Sequence, residues 1–542
     1  MKRQNARKPD IVVSAFFLGF LIVILYSRTI FGAFIYDDNY YIRDNPAIRS
    51  LTNIPAFFTR PETAIAHTGQ SRLIYRPLTT TFFAFEYYAF GGAHPASFHF
   101  VSIILFLLLV GLLMGLTQML YDDSAPVIAA GAFVAVHPLC TETVGWISAQ
   151  PTLLCALCML ASLGAFLFAS KGALKWRNPA FAACLVFAVA AMLFKEVGIM
   201  TPLVLLAAHF SFVDEEQSGR RLRIIGLTAA ASIFYLVIRL FLLGGLGGSS
   251  LYSNGILGHV AAAVSVVPRY LKRFFFPMDL RVFYSLPSSG ILEILIGLSF
   301  LIGAPTAAWR LRKKRPVAAF GLALAFLTYL PASNLIPTGM PTAERYFFLP
   351  LIGLAIAAAD LLSPVMRGPK AGFAVPVMVF IGCCFAILTF ERGRIWGSEV
   401  NFWERAIAEQ PGLDMGYYNL ALVHADKEEM DEAEKNYRKV LSMNPDHARA
   451  ANNLGIVLAR QERYDEATPY LQKAVEANPY NWRAAENLVR VQLKQDRPEA
   501  VVSLMQRLLN EARTPALEKM ATALLESDAL GEELRRRLAA EL

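Results

Sequence analysis

Apolar runs, each close to the length of a bilayer crossing and separated by short charged segments, fill the chain up to about residue 395. Eleven of them stand at 11–31, 98–120, 125–140, 147–170, 179–195, 198–213, 222–243, 290–309, 316–335, 347–365 and 371–390. A helix needs roughly 20 apolar residues to span. In hydrocarbon a segment must satisfy its own backbone N–H and C=O groups, so these runs are expected to be helices packed into a bundle. The stretch 258–277 differs, because Arg269, Lys272 and Arg273 interrupt it; it is expected as an amphipathic helix at the membrane surface. Composition agrees: 55% of the 542 residues are apolar and 17% are charged, too few charges for a soluble protein of this size. From about 398 the sequence turns charged and Ala- and Leu-rich, with no spanning run. The reading is all-α: a polytopic membrane helical bundle over 1–395, followed by a soluble helical domain over 398–542.

The first run follows Lys2, Arg3, Arg7 and Lys8 and passes through Tyr26, Ser27 and Arg28 without a small-x-small cleavage site, which predicts a retained anchor. Basic residues then gather in alternate loops: Lys171, Lys175 and Arg177; Arg220, Arg221 and Arg223; Arg310, Arg312, Lys313, Lys314 and Arg315; Arg367 and Lys370. The positive-inside rule makes these loops and the N-terminus cytoplasmic. The outer side then holds Asp37-Asp38 in a loop over 32–97, His137 with Glu142, Lys195-Glu196, the 244–250 loop and Arg345. Eleven spans place 398–542 on that side too, and the expected location is a bacterial inner membrane. The net charge of +8 follows from this topology and gives no reason to expect nucleic acid as a partner. Cys140, Cys155, Cys158, Cys184, Cys383 and Cys384 all fall in or beside apolar runs. Cys155-x-x-Cys158 has metal-like spacing but no second pair, so small side chains buried between helices are the reading.

The C-terminal region repeats. Pro411, Pro445 and Pro479 are 34 residues apart, as are Asn419-Leu420, Asn453-Leu454 and Asn487-Leu488, and Asp431-Glu432-Ala433 recurs at Asp465-Glu466-Ala467. That is the tetratricopeptide period, in which each unit is a pair of antiparallel helices that buries its apolar faces only by stacking on neighbours. A half-unit is expected over 402–410 and capping helices over 515–542, with the register slipping by one at Pro498-Glu499-Ala500. Asn419, Asn453 and Asn487 recur at one helix position and are candidates for a ladder of amides that binds an extended acceptor peptide.

Chemistry-bearing residues sit at the outer ends of the apolar runs. Asp37-Asp38 lies a few residues past the first, and carboxylates so near a bilayer lose hydration. Tyr75-Arg76-Pro77-Leu78, His94-Pro95-x-x-Phe98-His99, His137-Pro138-x-x-Thr141-Glu142, Lys195-Glu196 and Glu344-Arg345-Tyr346-Phe347-Phe348-Leu349-Pro350 follow in order. Their common position lets them converge on one cavity. A transporter is disfavoured, because the runs carry few charges at their middles. A bare scaffold for envelope assembly needs one anchor, not eleven.

With the repeats behind them, these motifs resemble the transmembrane-and-tetratricopeptide O-mannosyltransferases, within the wider group of polytopic glycosyltransferases of GT-C fold. The resemblance covers nearly the whole chain in order. It implies a polyprenyl-phosphate sugar donor, inverting transfer of mannose or another hexose, and Ser or Thr hydroxyls of a protein acceptor. A lipid or surface glycan is the alternative acceptor. It also places the catalytic carboxylate at Asp37 or Asp38. A lipid-phosphate leaving group gathers negative charge as it departs, which suits Arg345, whose fork grips phosphate oxygens, and Lys195. Arg76, His137, Glu142, Glu196 and Glu344 are candidates to orient the substrate. Asp37, Asp38, His137 and Glu142 have the donor types of a metal site, but the O-mannosyl branch implies no metal, and no cofactor is expected.

Overall fold

The computed structural model describes residues 10–66, 74–121, 123–169, 179–212, 218–244, 255–284, 290–333, 335 and 342–542. Lys171, Lys175, Arg177 and all but the first residue of the 244–250 loop lie outside them. The described residues are helices and connections without a strand. The chain divides into two compact units, Met1–Ser398 and Glu399–Leu542.

The first unit runs through α1 (Ile11–Ile30), α2 (Ile54–Thr59), α3 (Pro77–Ala89), α4 (Pro95–Gln118), α5 (Ser124–Val136), α6 (Thr141–Gly145), α7 (Gln150–Ala169) and α8 (Pro179–Phe194). It continues through α9 (Thr201–Phe212), α10 (Ser218–Leu243), α11 (Gly255–Ser265), α12 (Val267–Phe275), α13 (Ile291–Leu311), α14 (Pro316–Tyr329), α15 (Phe348–Arg367) and α16 (Ala371–Trp396). Starts are set locally: Asp10 caps α1 by accepting from Val12 N at 2.9 Å, and α3, α4 and α14 open on proline, whose missing N–H costs nothing there.

Among the described residues every one of the eleven apolar runs is largely helical, and this unit is a membrane-spanning bundle. Among the described residues seven helices are long and apolar enough to cross, at α1, α4, Ile147–Ala169, α10, α13, α15 and α16. An eighth is a pair, α5 and Pro138–Gly145, bent by 57° where Pro138 interrupts the helix. The runs at Pro179–Phe194, Glu196–Phe212 and Pro316–Ala332 form shorter apolar helices. Where α14 meets α15 the helices touch through glycine: a Cβ on Gly321 would come within 2.6 Å of Gly353 O.

The stretch 258–277 is not a surface helix. It breaks into α11 and α12, and the apolar face of α12 finds protein. Tyr270 stacks on Phe347 (centroids 5.0 Å apart) and donates to Ala343 O at 2.9 Å, while Phe274 lies against His137. Arg273 lies 3.9 Å over the Tyr284 ring. Of the basic residues that suggested a surface position, Arg273 is itself buried, and only Arg269 and Lys272 sit on the remaining sides of α12. Its buried face clamps the strap that leads into α15.

The second unit comprises α17 (Glu399–Glu409), α18 (Asp414–Asp426), α19 (Met430–Met443), α20 (Ala448–Arg460), α21 (Tyr464–Ala477), α22 (Trp482–Lys494), α23 (Pro498–Glu511), α24 (Pro515–Glu526) and α25 (Glu532–Ala539). First helices begin at 414, 448 and 482 and second helices at 430, 464 and 498, so the 34-residue step holds for both. At each turn between them an acidic residue takes positive φ: Glu428 at 63°, Glu462 at 61° and Asp496 at 55°. The following N–H closes the preceding helix, Glu429 on His424 O, Arg463 on Leu458 O and Arg497 on Gln492 O, each at 2.9 Å. The slip at Pro498 is compositional only, since buried Val501 takes the place that Ala467 and Ala433 hold one and two repeats earlier.

Candidate active site

After α1 the chain turns sharply. Tyr36 has φ of 51°, a left-handed conformation that a bulky residue keeps only when its surroundings hold it. Its ring stacks on Trp146 (centroids 6.3 Å apart) and meets Phe283 edge-on at 5.7 Å. The two aspartates that follow end in different settings. Asp38 is fully buried. It accepts from Ile35 N at 3.0 Å, from Ser148 N at 2.7 Å and from the Ser148 hydroxyl. Burial pushes its carboxyl up to about 7 in spite of those donors. Asp37 is half-buried, and its charge acts on Arg345, Tyr41 and Asp38.

Arg345 lies in the short turn before α15. Its N–H donates to Glu142 Oε2 at 3.0 Å and its guanidinium to Glu142 Oε1, so one carboxylate holds both main chain and side chain. The guanidinium lies 4.7 Å over the Trp146 ring. Burial opposes its charge, but Glu142 outweighs that and holds it above its ordinary value. Arg76 grips Glu196 in a fork, Nε to Oε2 at 2.9 Å and Nη2 to Oε1 at 2.7 Å. Burial acts against the Glu196 carboxylate, yet Arg76 holds it well below the usual range. Lys195 is buried and donates to Thr152 Oγ1 at 2.6 Å; burial and then Arg76 bring its ammonium down to about 7. The Lys195-Glu196 turn is fixed from behind, since a Cβ on Gly198 would come within 2.3 Å of the Ala191 backbone. Tyr41 feels the charges of Asp37, Arg76, Glu196 and Arg345, which puts four sequence motifs in one locale.

Other expected site residues have structural partners. His137 accepts from Leu139 N through Nδ1 at 3.2 Å, which leaves Nε2–H to donate to Phe274 O at 3.0 Å. Phe133, Phe274 and Phe385 surround it, so both ring nitrogens and the ring faces are engaged at the α5 bend. Glu344 is fully buried, and both its oxygens accept from Arg392 Nη2 at 3.0 Å while Tyr284 donates at 2.7 Å. Burial pushes Glu344 up to about 7, and Arg392 pulls the other way. Arg392 also donates to Leu280 O at 2.9 Å, which ties the α12 loop to α16. Among the described residues no group of three His, Cys, Asp or Glu side chains stands close enough to hold an ion.

Four residues were not anticipated: Tyr41, Trp146, Ser148 and Arg392. Arg239 is a fifth, donating to Tyr75 O at 3.4 Å beside the Arg76–Glu196 fork. A charge inside or just past an apolar run was the available signal for Arg239 and Arg392. In the second unit the three asparagines do not form separate rungs. Asn419 donates to Met415 O in its own helix at 2.8 Å. Asn487 donates to Asn452 at 3.0 Å, Asn452 to Asn453 at 3.1 Å, and Asn453 to the Tyr418 and Tyr437 hydroxyls at 3.3 Å. All three remain half-buried on the shared face of α18, α20 and α22.

Residues 418–481 and 458–524 each match a tetratricopeptide-repeat model. The chain is similar to a protein O-mannosyl-transferase of Caenorhabditis elegans, 24% identical over 82% of this chain and 64% of that protein. It is also similar to protein O-mannosyl-transferase TMTC4 of Homo sapiens, 26% identical over 76% of this chain and 63% of that protein. It thus spans a little under two thirds of these relatives. Among solved structures it is similar to the oligosaccharyltransferase AglB of Archaeoglobus fulgidus, 12% identical with a TM-score of 0.43, covering 71% of this chain and 56% of that one.

Proposed function

We propose that this chain is a membrane glycosyltransferase. It transfers a hexose from a polyprenyl-phosphate donor to Ser or Thr hydroxyls of a protein acceptor on the extracytoplasmic face, and its repeat unit holds the acceptor there. The observation that carries the reading is the gathering of a half-buried carboxylate, Asp37, with Arg345 and the Lys195–Glu196–Arg76 group in one locale. That set has one base and more than one cation, as the reaction needs. The acceptor oxygen bonds to the anomeric carbon from the face opposite the phosphate, and its proton passes to Asp37. The bond from anomeric carbon to phosphate oxygen breaks, with inversion, and the lipid phosphate leaves with the electron pair. Its charge is met by Arg345 and Lys195. Asp37 is the base in this reading because Asp38 is enclosed, with its oxygens taken by Ile35 and Ser148. Asp38, Glu142, Glu196 and Arg76 are positioning residues.

The test uses the full chain in membranes given a labelled polyprenyl-phosphate hexose, with transfer followed by glycopeptide mass spectrometry. Asp37→Asn is expected to lower transfer by about 10²–10⁴-fold while leaving the melting temperature unchanged. Arg345→Ala is expected to lower it too. Undiminished transfer by Asp37→Asn sinks the assignment, and label found only on lipid or surface glycan moves the acceptor to that class.

A further inference from the structure

The charges of the repeat unit are not distributed alike. On and beside α19 and α21 several are paired: Arg438 and Arg463 share Glu434 and Glu466 at 2.6–3.5 Å, and Lys473 meets Asp446 at 3.4 Å. On the first helices Arg490 meets Glu486 at 3.0 Å on α22, but four other cations have no such pair. Arg449 and Arg460 lie one turn before and two turns after Asn453 on α20, and Arg483 and Lys494 stand at the same offsets from Asn487 on α22. Offsets of four and seven residues share one helix face. The Asn487–Asn452 and Asn453–Tyr418 hydrogen bonds place that face of α22, α20 and α18 side by side. All four cations are exposed, and among the described residues none has a carboxylate within salt-bridge distance.

These cations are no requirement of the repeat, because α18 carries Met415 and Asp426 at the equivalent positions. Nor do they hold repeats together: among the described residues none is in an ion pair, and Arg483 lies only over the ring of its chain neighbour Trp482, at 5.3 Å. We infer that the α20–α22 face binds an extended acidic polypeptide segment. Its carboxylates would lie along two rows of cations, Arg449 with Arg483 and Arg460 with Lys494, and its backbone over the amides between them. This deepens the acceptor reading above by giving the captured segment a charge.

The test is binding without any sugar donor, on the full chain in nanodiscs of zwitterionic lipid. Fluorescence anisotropy compares a labelled peptide of alternating glutamate and threonine with its lysine–threonine counterpart. The acidic peptide is expected to bind, to weaken as salt rises, and to lose at least tenfold in affinity in Arg449→Glu/Arg483→Glu. Arg460→Gln/Lys494→Gln is expected to weaken it less, and Lys473→Glu on α21 not at all. Equal binding of both peptides, or undiminished binding by the reversed variant, overturns the inference. So does binding to phosphatidylglycerol vesicles in place of peptide, which makes the face a lipid-binding one. Since no donor is present, loss of transfer with binding intact counts against the enzymatic reading alone.

Discussion

In the first unit the carboxylates that hold Arg345 and Arg392, Glu142 and Glu344, are 3% and 0% exposed, whereas in the second unit Glu466, which serves Arg438 and Arg463, is 51% exposed. The chemical pair is the same and its consequence differs. Water screens the exposed network, so losing a partner there costs little. In the bundle, removing one partner strands a charge that water cannot reach. Buried pairs therefore fix where Arg345 and the α12 loop stand, while the exposed ones chiefly leave the other face of the array free to display unpaired cations.

The sharpest break of that comparison is Arg392→Ala, which leaves Glu344 buried without its cation. It is expected to destabilise the first unit by about 3–5 kcal/mol. Arg463→Ala is expected to leave the melting temperature of the second within error. Equal losses in detergent melts of the two variants would refute the contrast. Lys195 comes next. Its ammonium is brought down to about 7 in the folded protein, far below its ordinary value, so above that pH the unfolded chain binds the extra proton. Its contribution thus opposes folding below about pH 7 and relaxes as pH rises toward 10. Lys195→Met is expected to raise stability at pH 7 by on the order of 2–3 kcal/mol and to flatten the rise between pH 7 and 10. An unchanged pH profile breaks the assignment.

The aspartates sharpen the comparison within one dipeptide. Asp38→Asn turns an amide toward a backbone that only donates, at Ile35 N or at Ser148 N, and is expected to cost about 1–3 kcal/mol. Asp37→Asn is expected to cost no stability and most of the activity. Melting curves read beside transfer rates separate them. If the two variants behave alike, Asp38 is not the tether that its hydrogen bonds make it.

How much of this could be read in the sequence follows from the range of each interaction. The apolar runs and the 34-residue repeat were legible, because helix formation in lipid and stacking of identical units are decided within a few turns of chain. The motifs at the outer ends were legible as types. Their partners were not: Glu142 and Arg345 are separated by 203 residues, and Asp38 and Ser148 by 110. Without Ser148 the two aspartates look equivalent. Without Phe347 and Ala343, α12 looks like a surface helix, since nothing local says that Tyr270 has a ring to stack on. The setting of His137 was hidden for the same reason, since Phe274, whose carbonyl accepts its Nε2–H, lies 137 residues away.

The smallest effect lies where the sequence does follow its neighbours. Glu428, Glu462 and Asp496 hold φ near 60° at one offset in successive repeats, a conformation in which a side chain's Cβ crowds the backbone and glycine's absence of one relieves it. Glu462 is exposed, and among the described residues it has no ion pair, so replacing it removes little else. Glu462→Gly is expected to stabilise the second unit by about 0.5–1 kcal/mol, the relief of strain exceeding the entropy that glycine adds to the unfolded chain. Thermal unfolding of residues 399–542, which have a core of their own around Ala451, Leu454 and Leu471, measures it directly. A loss of stability would mean that the turn's backbone is held by the Glu462 side chain. The exposed charges of this unit would then carry structure after all, as the buried ones of the bundle do.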